Sequence, residues 1–135
     1  MAINWHDIRP LNGTQNDGFE ELVCQLASKE KIENQKKFIR LGKPDAGVEC
    51  FWTLKDGTEW AWQAKFFTSA MEDSQWKQID ESVKTAIEKH PLLKRYTIAI
   101  PIDPPDGRNA KQKSTLGKWN DKVKTWEEWA TDKGL

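Results

Sequence analysis

Residues 44–67 read "PDAGVECFWTLKDGTEWAWQAKFF", and the way this stretch turns at "KDG" decides the fold. Lys55, Asp56 and Gly57 fit a three-residue hairpin loop with Gly57 in the left-handed conformation, a type I turn followed by a one-residue bulge. Leu54 then pairs with Thr58. Counting outward, Trp52 opposes Trp60, Cys50 opposes Trp62 and Val48 opposes Ala64, all on one apolar face. The opposite face is polar: Glu49 lies across from Gln63, and Lys65 follows on the same side because side chains repeat every second residue. A loop one residue shorter or longer would break this opposition, since a slip of one residue exchanges the faces.

The flanking sequence supplies the remaining elements. In "GFEELVCQLAS", Phe19, Leu22, Val23 and Leu26 recur at i, i+3, i+4 and i+7, which predicts an amphipathic helix over 18–28 with Asp17 as its N-cap. "FIRL" at 38–41 reads as a short strand ended by Gly42 and Pro44. Downstream, Trp76, Ile79, Val83, Ala86 and Ile87 form one helical stripe, capped by Asp73 or Ser74 and closed by Pro91. "RYTIAIPI" at 95–102 has the β-branched character of an interior strand, and the turn-rich "PIDPPDGRN" breaks it. Trp119, Val123, Trp126 and Ala130 predict a final helix. The order helix, three strands, helix, strand, helix gives an antiparallel meander and then a strand–helix–strand crossover. The expected class is α/β or α+β, with a mixed central sheet of about four strands flanked by helices.

A chain of 135 residues suffices for one core, so residues 1–135 are read as a single domain. Eight tryptophans make that core aromatic-rich. Cys24 and Cys50 lack metal-ligand spacing, which points to packed, reduced thiols and a cytoplasmic protein. No apolar run reaches the roughly 20 residues of a membrane span, so no membrane partner is expected. His6 and His90 stand in no pattern that makes a zinc site or a general base, and both are expected to be structural. Trp5 lies outside any periodic pattern and suits a contact with a neighbouring subunit or domain. The 21 basic and 21 acidic residues cancel, which argues against a tight free-standing nucleic-acid binder. Locally they do not: Lys36, Lys37, Arg40 and Lys43 precede the hairpin, and Arg108, Lys111, Lys113, Lys118, Lys122 and Lys124 follow it. Lys43, Arg108, Lys111 and Lys113 are the candidates for phosphate contact, against the alternative of ordinary solvated faces.

Glu49, Gln63 and Lys65 on one sheet face have a chemical use. A carboxylate, the Gln63 amide oxygen and the main-chain carbonyl of Ala64 are hard oxygen donors suited to Mg²⁺, which keeps several waters. Such an ion activates water and polarises a phosphate oxygen. Lys65 would orient the attacking water or offset charge on the pentavalent phosphate. The competing reading is a solvated cross-strand pair worth a fraction of a kcal/mol.

These residues carry a family resemblance. "GKPDAGVE" followed by "WQAK" resembles the catalytic core of the Mrr-like branch of the PD-(D/E)xK nucleases, in which a glycine-rich "GxGDxGxD" precedes "QxK" on the next strand. The resemblance runs from about Gly18 to Ile100 and includes an upstream helix with "FE", here Phe19 and Glu20. With "FEELVCQLA", "PDAGVECFW", "EWAWQAKFF" and the tryptophan-rich end, the whole chain looks like the N-terminal nuclease domain of bacterial antiphage STAND NTPases of the Avs kind.

The resemblance implies a restriction-endonuclease-like fold and a metal-dependent endonuclease acting on double-stranded DNA, with Mg²⁺ as cofactor and Mn²⁺ able to replace it. It implies that Glu49 is the metal-binding acid, Gln63 replaces the usual second acid, Lys65 is the catalytic lysine, and Glu20 reaches the metal through water. The family's principal acid is usually Asp, and Pro44 replaces a glycine, which creates a literal "PD". Asp45 therefore competes with Glu49, either as a supporting ligand or as a turn acid after proline. Glu21 competes with Glu20, which lies nearer the apolar stripe. As partners the resemblance implies further copies of the chain when active, a dimer or higher oligomer, and fusion to ATPase and sensor domains in a longer natural chain. The alternatives are a non-catalytic binding or assembly module on the same fold, and a nuclease for RNA or branched DNA.

Overall fold

The computed structural model describes residues 4–42, 47–68, 71–101 and 110–135, with the backbone alone over 110–115. The hairpin forms as its turn residues require. Strands β2 (Cys50–Leu54) and β3 (Glu59–Ala64) flank a three-residue loop in which Gly57 has φ of 88° and donates its N–H to the Leu54 carbonyl at 3.0 Å. The Asp56 carboxylate fixes the far side, accepting from the Thr58 N–H at 2.9 Å and its hydroxyl at 2.6 Å. The register follows: Leu54 N–H bonds to Thr58 O, Trp52 faces Trp60, and Cys50 faces Trp62.

Strand β1 (Gln35–Arg40) adds antiparallel to β2. Beyond the hairpin, helix α2 (Asp73–Lys89) crosses over to β4 (Leu93–Ala99), which pairs parallel with β3. The result is an α+β arrangement: a four-stranded mixed sheet in the order β1-β2-β3-β4, with α1 (Gln15–Ser28), α2 and α3 (Ala110–Asp132) packed on it. Alternation along the strands sends Cys50, Trp62 and Ala64 to the face that α1 covers with Phe19, Val23, Cys24 and Ala27. Phe51 and Ala61 point the other way, where Ala86 of α2 meets them. Burial of each large apolar side chain on these faces contributes about 1.5–3 kcal/mol. Helix α3 is fastened to α2 by Asp80, whose carboxylate accepts from Trp126 Nε1 at 2.8 Å and Lys122 Nζ at 2.7 Å. Among the described residues no helix is long and apolar enough to cross a membrane.

Several expectations need correction. Helix α1 starts at Gln15 under a Thr14 cap, whose hydroxyl accepts from the Asp17 N–H at 3.0 Å, so Asp17 is inside the helix. Its buried face is Phe19, Val23, Cys24 and Ala27; Leu26, expected in the stripe, is 61% exposed. Gly18 belongs to this helix because Arg9 crosses it so closely that a Cβ would lie 2.2 Å from the Arg9 carbonyl oxygen. Helix α2 is capped by Glu72 rather than Asp73 or Ser74; the Glu72 N–H is held by the Gln75 side chain at 3.0 Å. Strand β1 begins at Gln35, earlier than expected, and β4 ends at Ala99. Trp5 packs edge-on against Phe19 at 5.5 Å.

The main departure is at Glu49. The Leu41 N–H bonds to Glu49 O at 2.9 Å, as a continued β1–β2 ladder requires, but the Glu49 N–H turns away and bonds to Trp62 O at 2.8 Å. Trp62 already faces Cys50, so two residues of one strand oppose one of the other, which is a β-bulge. Val48 consequently packs with Phe51 and Ala86 on the α2 side, not with Cys50, Trp62 and Ala64 as the hairpin count predicts. Gly47 makes that approach possible. Its φ is 77°, and a Cβ there would lie 2.4 Å from the Ser82 carbonyl of α2. Tyr96 on β4 closes the region by donating its hydroxyl to Gly47 O at 2.5 Å.

Candidate active site

Glu49 and Gln63 are the buried polar side chains of the described residues, at 6% and 4% exposure. They meet through the main chain: the Glu49 N–H bonds to the peptide group joining Trp62 to Gln63. The directly opposed ladder pair expected from the hairpin count does not form, because the bulge makes Glu49 the extra residue and the β2–β3 ladder stops at Cys50. Gln63 is instead held in register by β4, across from Ile98. Its Oε1 is buried and accepts no hydrogen bond. Trp60 Nε1 is likewise buried without a partner among the described residues; an orphaned amide oxygen costs about 1–3 kcal/mol.

Lys65 sits just beyond β3, half-buried, with its N–H on Ala99 O at 3.0 Å. The chain turns sharply there, Phe67 N–H returning to Lys65 O at 2.9 Å. Phe66 then packs on Phe19 at 5.6 Å, while Phe67 joins the α2 side. The two aromatic residues anchor the segment that carries Lys65. On the α1 side, Glu20 is half-buried beside the packed face and accepts from Asn16 Nδ2 at 3.3 Å. Glu21 is committed elsewhere: it accepts from Gln25 Nε2 at 2.9 Å and forms an ion pair with Arg40 of β1. Those hydrogen bonds hold its carboxyl below the ordinary 4.5. Of the remaining candidates, Asp45, Lys43 and Arg108 lie outside the described residues, and Lys111 and Lys113 are described as backbone only.

Sequence reasoning treated the two cysteines as inert filling, and both are buried in the core between α1 and the sheet. Cys24 on α1 and Cys50 on β2 are free and buried in one packed cluster. Their interaction lowers Cys24 and raises Cys50; burial and the adjacent Glu49 carboxylate raise Cys50 further. Arg40, Glu20 and Glu21 all act electrostatically on Cys24. The signal in the sequence was positional: Cys24 follows Glu20 by one helical turn, and Cys50 follows Glu49 directly. His90 pairs with Glu59 at 3.1 Å under the edge of Phe51, at the far end of β3 from Gln63, in keeping with a structural role.

Among the described residues no three His, Cys, Asp or Glu side chains cluster to hold a metal ion. The oxygen donors that the sequence offers at this sheet end are the Glu49 carboxylate, the Gln63 amide oxygen and the Ala64 carbonyl, with Glu20 on α1. A single carboxylate with neutral oxygens and several waters fits Mg²⁺ rather than Zn²⁺, which takes nitrogen and sulfur. A cavity of about 550 Å³ lies elsewhere, between β4, α2 and α3, lined by Tyr96, Ile98, Trp119 and Trp126. Its lining carries one acid, Glu127, beside Lys94 and Arg95, so no carboxylates converge there. Comparisons with models of known families, with curated proteins and with solved structures find no match to this chain.

Proposed function

We propose that the chain is a metal-dependent endonuclease domain that hydrolyses phosphodiester bonds of double-stranded DNA, on a restriction-endonuclease-like fold. The observation that carries this reading is the buried Oε1 of Gln63, which accepts no hydrogen bond, at the strand end where the peptide before Gln63 takes the N–H of the buried Glu49. A buried acceptor left unpaired costs stability and becomes useful when a cation arrives. The element order and the "QAK" segment at the end of β3 are those the family resemblance leads one to expect.

In this reading Glu49, Gln63 and the Ala64 carbonyl hold Mg²⁺ or Mn²⁺, and Glu20 reaches it through water. The bound ion supplies Lewis acidity, polarising a phosphate oxygen and acidifying the attacking water. Lys65, half-buried just beyond β3, would place a positive charge where negative charge grows on phosphorus. Glu21 serves as a strut between α1 and β1 through Arg40. The effector role in an antiphage protein, with activation by clustering and fused ATPase and sensor domains, belongs to the same proposal and rests on the resemblance.

The test is cleavage of plasmid and linear duplex DNA with Mg²⁺, Mn²⁺ or EDTA, comparing the unsubstituted chain with Glu49→Ala and Lys65→Ala. Metal-dependent nicking, reduced at least about 100-fold in both variants, is expected, with DNA affinity in Lys65→Ala nearly unchanged. Cleavage that persists in EDTA or in both variants overturns the assignment. Complete inactivity of the folded chain at high concentration would leave binding or assembly as its role.

A further inference from the structure

Strand β4 ends the sheet on one side, and among the described residues no strand pairs with its outer edge. The Ala99 carbonyl is turned inward, accepting from the Lys65 N–H at 3.0 Å. Main-chain groups alternate along a strand, so Ile98 turns its N–H and carbonyl outward. The cavity between β4, α2 and α3 follows this edge. Arg95 and Tyr96 both border it although their side chains stand on opposite faces of the sheet, Arg95 over the Trp60 ring at 4.8 Å and Tyr96 in the core beside α2. A cavity above one face would meet alternate residues alone. The facing wall is α3, where Trp119, Val123 and Trp126 present apolar surface while Trp126 keeps its Nε1 on Asp80. A groove of about 550 Å³ between a strand edge and an apolar helix face suits an extended segment that joins the sheet. From Leu93 to Ile98 the edge runs roughly 17 Å, the span of about five extended residues.

Charge selects among the occupants. Lys94 and Arg95 are exposed, and neither forms an ion pair with a described residue. The groove lining offers them a single acid, Glu127. A second copy of the chain would bring the same two cations and, over 93–101, no acid; lysine on an open edge opposes such self-pairing. We propose that the outer edge of β4 is a docking site for an extended, acidic segment of a partner protein, which adds to the four-stranded sheet as a further strand. Its main chain bonds to Ile98, its alternate apolar side chains enter the groove beside Trp119 and Trp126, and its carboxylates meet Lys94 and Arg95. Ile98 also lies across from Gln63, so the docked strand is one strand away from the candidate site. This inference stands whether or not the chain is a nuclease.

The probes are synthetic peptides of about eight residues that alternate valine with threonine and carry glutamate at both ends. Beside them stand versions with lysine at both ends and a version with two adjacent central prolines. Binding to the full chain is followed by tryptophan fluorescence and by hydrogen exchange at the Ile98 amide. The glutamate peptide is expected to bind and to slow exchange of the Ile98 N–H at least about 10-fold. The lysine peptide is expected to bind about 5-fold more weakly, a preference that Lys94→Glu, at an exposed position, removes. Equal binding of the proline peptide, or an Ile98 amide unchanged at about 1 mM glutamate peptide, overturns the proposal. A dimer of the chain whose Ile98 N–H exchanges slowly without peptide would make a second copy the occupant and overturn it as well.

Discussion

On the proposed reading, Gln63 sets function against stability in a single side chain. Its Oε1 gives up hydration and receives no hydrogen bond, a cost that a thioether of similar length would not incur. Gln63→Met is therefore expected to raise the unfolding free energy by about 1 kcal/mol while lowering metal-dependent cleavage at least about 100-fold. Urea titration and the plasmid assay on the same preparation check both arms. A variant that loses stability and keeps activity would mean that the amide holds the fold and no cation. Glu21 gives the pH counterpart. Its carboxyl is lowered in the folded chain by Gln25 and then Arg40, so its contribution is present above the ordinary 4.5 and is lost as pH falls through the folded value. The pair with Arg40 is partly exposed, which limits the effect to less than about 1 kcal/mol. Glu21→Gln should be slightly destabilising near neutrality and indistinguishable from the unsubstituted chain near pH ~2.5, as thermal midpoints across that range would show.

At the scale of elements, Gly47 decides how the strand enters the sheet. A Cβ there meets both a φ of 77° and the Ser82 carbonyl at 2.4 Å, with the Ala86 N–H at 3.0 Å behind it. Gly47→Ala must push α2 away or unwind the bulge, and is expected to cost about 3 kcal/mol or more. Chemical denaturation would measure it; a loss below about 1 kcal/mol would mean that the helix yields easily. This glycine also marks where the sequence stopped being legible. "KDG" announced its loop and register because turn chemistry is local, and the α2 stripe was plain because Trp76, Ile79, Val83 and Ile87 all face one core. The bulge at Glu49 was hidden, since it follows from Gly47 packing on a helix distant in sequence. The start of helix α1 was misplaced for the same kind of reason: the count began at Gly18, whereas Arg9 lies across that glycine inside a helix that starts at Gln15.

At the scale of the whole molecule, charge decides how such a domain meets a polyanion. The formal net charge of +0 provides no long-range attraction, so on the proposed reading DNA binding would depend on a few local contacts, with affinity of the order of 10⁻⁴ to 10⁻⁶ M at physiological salt. The candidate site occupies one end of one sheet, and one such site serves one strand at a time. On the proposed reading, limiting protein should nick supercoiled plasmid first, and linear product should follow with a rate rising as roughly the square of protein concentration. With about three phosphate contacts, raising salt from about 50 to 200 mM should slow cleavage roughly 40-fold below saturation. Time courses over a range of protein and salt concentrations separate the possibilities. Linear DNA appearing without a nicked precursor at the lowest concentration would require a preassembled pair of sites. A rate insensitive to salt would remove backbone contacts from the account and leave the end of β3 without a route to its substrate.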